Sequence, residues 1–123
     1  MSLLCVSGGG ITVKIVASAF TLGWVHSIEK APIEDAWAIE DGRLRLVESR
    51  IKGSGAGIEP GADARLVDGW LRWTPEHPFR EKVTLRRSGF EGTGDWTLCL
   101  SGKCRPLGDI VPTDADPVTL EPC

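Results

Sequence analysis

A chain of 123 residues has room for one domain, residues 1–123, and for no second core. Its apolar share of 41% and charged share of 25% are those of an ordinary soluble globular protein. The balance of basic and acidic residues gives −3, which argues against sequence-independent binding of nucleic acid, because phosphates demand many Lys and Arg.

Along the chain, helical periodicity is hard to find. Short runs alternate with period two and are punctuated by Gly, Pro, Asp and Ser, the pattern of an all-β domain. The opening residues, MSLLCVSGGG, lack the basic start and long apolar run of a signal peptide. The longest apolar-leaning run, ITVKIVASAFTLGWV, is broken by Lys14 and falls short of the roughly 20 residues that cross a bilayer, so no transmembrane segment is expected. Strands are expected over residues 3–7, 11–16, 20–27, 33–40, 44–52, 64–67, 70–74, 82–87, 96–100, 104–107 and 118–120. Asp41-Gly42 and Asp68-Gly69 are turn pairs of the type I′ kind. TPEHPFRE reads as a proline-bound loop, and PTDADP as a polar link to the last strand. The architecture expected is a single small antiparallel β-sandwich or a partly closed barrel.

The four cysteines point to staples. In WTLCLSGKCRPL two extended segments meet at Ser-Gly, so Cys99 and Cys104 would face each other across a tight hairpin. That leaves Cys5 and Cys123, near the two termini, as the second pair. Free buried cysteines, packing as small hydrophobes, are the alternative. Zinc would want closer Cys spacings or nearby histidines, and His26 and His77 are distant in sequence.

The stretch GWVHSIEKAPIEDAWAI holds the best candidates for chemistry. If the four residues EKAP close a hairpin with Ile28 opposite Ile33, Trp24 falls opposite Trp37 and Leu22 opposite Ile39. Phe20, Leu22, Trp24, Ile28, Ile33, Trp37 and Ile39 then share one face. The same counting sets His26 opposite Asp35 on that apolar face, with Ser27 opposite Glu34 on the other. Such a pair could hold a proton tightly, or simply close the end of a core. Nucleophilic catalysis is disfavoured, because strand alternation points Ser27 away from His26 and no GxSxG elbow exists. A metal held by His26, Glu29 and Asp35, with Glu34 behind, would be weak and oxygen-rich; no metal and no cofactor is expected.

KGSGAGIEPG, residues 52–61, could form an anion-binding nest beside Lys52, or simply a wide turn. It is neither a dinucleotide fingerprint nor a phosphate loop, since Glu59-Pro60-Gly61 blocks a following helix. Arg65, Arg72, Arg86 and Arg87 make at most a modest basic patch and are better read as solvated charges guarding edge strands. Trp70 and Trp73 differ in parity, so one of them could be exposed.

These residues carry a resemblance. FTLGWVHSIEKAPIEDAW followed by LRLVESRIKGSGAGIEP resembles the bacterial family known as domain of unknown function 1850, through His26, Ser27, Glu29, Lys30, Asp35, Trp37 and the Gly55-Ala56-Gly57 loop. The segment LCLSGKCRPL and the terminal cysteine resemble a cysteine-bearing branch of that family. The resemblance implies no established activity. It implies association with TRAP transporters of the TAXI type, with a transporter membrane subunit or a solute-binding protein as partner, on the periplasmic side or at the membrane periphery. A cytoplasmic location stays open, but disulfides rarely persist there. The function expected is a non-enzymatic accessory module binding through His26, Ser27, Glu29, Lys30, Asp35, Ser54, Gly55 and Gly57. The alternative is a small-ligand or anion site built from the His26 hairpin and the loop 53–57.

Overall fold

The computed structural model describes residues 2–25, 31–52, 61–87 and 95–123. Among them twelve strands run in chain order as β1 (Leu3–Gly8), β2 (Ile11–Val16), β3 (Ala19–Val25), β4 (Pro32–Glu40), β5 (Arg43–Lys52), β6 (Arg65–Val67), β7 (Trp70–Trp73), β8 (Phe79–Arg80), β9 (Val83–Leu85), β10 (Thr97–Leu100), β11 (Lys103–Pro106) and β12 (Val118–Pro122). A 3-10 turn, Leu107–Asp109, follows β11. The strands form an all-β sandwich of two antiparallel sheets, not a barrel. The smaller has the order β2-β1-β12-β9; the larger has β11-β10-β3-β4-β5-β7-β6, with β8 on the β5 edge.

Local chemistry accounts for the turns. Asp41 and Gly42 have φ of 52° and 73°, and Asp68 and Gly69 have 51° and 83°, the left-handed pairs that a type I′ turn requires. Ser101-Gly102 repeats the geometry between β10 and β11. Their twist matches that of the flanking strands, so each closes its hairpin without splaying it.

The core lies between the sheets. Leu4, Val6, Val118, Leu120 and Leu85 from the smaller sheet meet Phe20, Leu22, Trp37, Leu44 and Leu98 from the larger. Leu107, Val111 and Ala115 close one side, so the link before β12 is less polar in its surroundings than its composition suggests. The C-terminal strand lies between β1 and β9 in the smaller sheet, and Cys5 is bonded to Cys123. The second disulfide joins Cys99 to Cys104, which are directly opposite in the β10–β11 hairpin. No cysteine is free.

Two expectations need correcting here. TPEHPFRE is not loop throughout: β8 pairs with Leu44 and Arg45 of β5, and the Pro78 carbonyl accepts a 2.7 Å hydrogen bond from the Leu46 amide. A proline lacks the donor that a ladder needs but keeps its acceptor, so it can precede a short edge strand. The four arginines do not form one solvated patch. Arg72 pairs with Glu48, Arg86 with Asp116, and the Arg87 side chain is only 7% exposed, sealed against Asp95.

Candidate functional site

The larger sheet sets several strand ends side by side. β3 and β4 part after the rung Val25↔Pro32. Ile33 stands opposite Ile51 of β5, so Lys52 leaves the sheet beside Pro32. Thr97 stands opposite Gly23, so Asp95 enters β10 from that end as well. His26, Ser27, Glu29, Lys30, Ser54, Gly55 and Gly57 lie outside the described residues. The residues that flank them, Val25 and Pro32 on one side and Lys52 on the other, stand together.

Asp35 is described, and its neighbours differ from those expected. It lies opposite Leu22 on β3, not opposite His26, a slip of four positions from the register counted off a tight EKAP turn. Hydrophobic alternation could not have caught this, because an even slip leaves every side chain on its own face. Phe20 accordingly stands opposite Trp37, with ring centroids 6.3 Å apart, and Trp24 opposite Ile33. The shared apolar face was legible, whereas the pairing across it was not.

On its other flank Asp35 faces Ser49, whose hydroxyl donates a 2.7 Å hydrogen bond to Asp35 Oδ1. Ser49 reaches the core side through a bulge. Trp37 pairs with Leu46 but Ala36 with Glu48, so Val47 is an extra residue and the parity of β5 inverts there. Before the bulge Leu44 and Leu46 point inward; after it Ser49 and Ile51 do, both buried. Glu48 and Arg50 are thereby turned to the outer face, where Arg50 meets Glu34 at 2.8 Å and Glu48 at 3.4 Å, and Arg72 meets Glu48 at 2.8 Å. The interrupted alternation of LRLVESRI was the signal available in sequence.

Burial pushes the Asp35 carboxyl above the usual carboxylate range, while the Ser49 hydrogen bond and the positive charge of Arg50 partly oppose this. The folded state therefore takes up its proton more readily than the unfolded chain does. Asp35 contributes full stability below its unfolded pKa and loses that contribution as pH rises through its folded pKa. Replacing Asp35 with Asn is expected to remove this component. In urea titrations across pH, Asp35→Asn should gain on the wild type between acid and neutral pH. An unchanged difference would sink the assignment.

On the outer face beside this end lies a depression of about 450 Å³. Gly23 and Thr97 form its floor, Val25 and Pro32 its end, and the Cys99–Cys104 disulfide with Pro106 its far wall. Glu34 and Asp95 are the charged groups on its described rim. Gly23 is not demanded by backbone geometry, and a Cβ there would meet nothing nearer than 3.7 Å. A strand glycine without a steric reason leaves room for something outside the chain. Gly23→Val should therefore fold, with stability within about 1 kcal/mol of wild type, while filling the depression. The check is a urea midpoint together with the binding assay below.

Trp24 and Trp96 back this end on the inner side, with ring centroids 4.7 Å apart. On the outer face Trp70 is half-buried under Arg50 and Lys52, whose charged groups lie 5.9 Å and 5.4 Å from its ring centroid. Among the described residues no three His, Cys, Asp or Glu side chains are grouped to hold a metal ion. No helix among them is long and apolar enough to cross a membrane.

A disulfide-stapled antiparallel sandwich, with the ends of β3, β4 and β5 and the start of β10 side by side in the larger sheet, is a fold class that by itself names no activity. The chain belongs to the family described as Domain of unknown function (DUF1850), whose model matches residues 20–107. That span runs from the start of β3 past β11, so it contains both the depression and the segments around it. No curated protein and no solved structure matches the chain.

Proposed function

We propose that this domain is a non-enzymatic binding module of a TRAP-type uptake system of the TAXI kind. It contacts a transporter membrane subunit or the solute-binding protein through the end of the larger sheet. The observation that carries the reading is the gathering of Val25, Pro32, Lys52 and Asp95 at that end, beside a groove floored by Gly23. The partner's identity rests on the family resemblance alone. Two disulfides support an oxidising, periplasmic setting. The non-enzymatic reading draws support from the cysteines, all bonded, and from Asp35, which is engaged by Ser49.

The test is co-purification of the full chain with the neighbouring transporter proteins, followed by uptake measurements after deletion of its gene. Association should weaken about tenfold or more in His26→Ala and in Gly23→Val, the scale of a central contact. Intact uptake with no association would overturn the proposal.

The groove also supports a second reading, a small-ligand site at the same end. The described rim carries the carboxylates of Glu34 and Asp95, so an anion would have to be held by Lys30, Lys52 and the 53–57 loop. Titration calorimetry with inorganic phosphate and with sulfate separates the readings. Heat that disappears in Gly23→Val favours the ligand site, and silence with both anions favours the protein contact.

A further inference from the structure

Among the described residues five strands have a single partner, and four of them carry devices that stop strangers from pairing; β8, on the β5 edge, is only two residues long. β6 and β9 are three residues long. β11 presents Lys103, Arg105 and Pro106 within four residues. Short edges, cationic side chains and proline are the usual means of blunting a sheet. β2 has none of these means except a single lysine. It is six residues long, every residue pairs with β1, and ITVKIV is rich in β-branched side chains. Ile11 is 47% exposed and Val16 65% exposed. Among the described residues nothing pairs with its outer side.

We propose that β2 is the interface of a two-fold homodimer in which the β2 strands of two copies pair antiparallel and join the smaller sheets into one. The argument is self-complementarity. A two-fold axis perpendicular to the sheet keeps inner faces continuous, so it must relate residues of equal parity. Ile11, Val13 and Ile15 lie opposite Gly8, Val6 and Leu4 of β1 and so share the core side. Two registers near the strand centre satisfy the axis. Centring on Lys14 would set two lysines face to face, which is destabilising. Centring on Val13 sets Ile11 opposite Ile15 of the second copy, extends the apolar face, and sets Lys14 opposite Thr12. The strand's one charge then meets a hydroxyl and not its own copy. Thr12 and Lys14 are both exposed on the outer face, so they can be changed without entering the core.

The proposal concerns a different edge from the one assigned to partner binding, and neither depends on the other. Sedimentation equilibrium of the full chain with both disulfides formed, at concentrations up to about 100 μM, should show a dimer. Thr12→Lys adds two like-charge oppositions per dimer and should weaken it about tenfold, while Thr12→Glu should tighten it severalfold. Adding Lys14→Glu to Thr12→Lys restores opposite charges in this register and should recover at least the wild-type constant, and tighten it as Thr12→Glu does. Near-ultraviolet circular dichroism confirms that each variant is folded. A monomer over the whole range would overturn the proposal. So would a dimer indifferent to Thr12→Lys, or a double variant that fails to recover.

Discussion

Arg87→Ala is expected to cost about 3 to 5 kcal/mol of folding stability. The guanidinium grips Asp95 with two donors, Nε to Oδ1 at 3.1 Å and Nη2 to Oδ2 at 2.7 Å. Its remaining nitrogen donates to the carbonyls of Pro112 at 2.6 Å and Ala115 at 3.0 Å. Asp95 in turn accepts from the amides of Trp96 and Gly108, both at 2.8 Å. One ion pair therefore ties the end of β9 to the start of β10, to the 3-10 turn and to the link before β12. The side chain of Arg87 is 7% exposed and that of Asp95 24%, so deletion leaves a carboxylate and two carbonyls poorly compensated. Arg87→Lys should recover little, because a point charge cannot replace a planar fork. Urea denaturation with an unchanged m-value measures the loss; a cost below about 1 kcal/mol would mean the network is dispensable.

Replacing Cys5 and Cys123 together with alanine should cost about 4 to 5 kcal/mol, whereas the same change at Cys99 and Cys104 should cost about 2. The first bond closes a sequence separation of 118 and the second one of 5. In the chain-entropy account a longer closed loop takes more freedom from the unfolded chain. The β10–β11 hairpin also keeps its ladder and its Ser101-Gly102 turn without the bond, while β1 and β12 come from opposite ends of the chain. Urea midpoints of the two double variants decide the matter. Equal losses would refute loop length as the source of the difference.

Both predictions bear on how far the fold was legible beforehand. The disulfide pairing was, because the two partners in a hairpin sit close in sequence and leave only one pair over. The Arg87–Asp95 clamp was not. Nothing in FREKVTLRR distinguishes a guarding surface arginine from one that spans three distant segments. The bulge at Val47 left a trace in the broken alternation of β5, but its consequence, Ser49 beside Asp35, required a third strand in place.

The candidate site divides the same way. The apolar face of the β3–β4 hairpin followed from period-two alternation, since one buried face imposes parity on every residue. Its register did not, because slips by an even number cost nothing in parity. The sequence by itself determined every strand but β8, the apolar face of the β3–β4 hairpin, the left-handed turn pairs and the cysteine partners, all of them short-range or decided by elimination. Only the tertiary structure decided sheet order, the partners of Asp35 and Arg87, and which strand ends stand beside Gly23. Those depend on how separate strands meet, within neighbouring hairpins as for Asp35 and between distant segments as for Arg87 with Pro112 and Ala115, and local preference carries no information about which of several compatible strands becomes the neighbour.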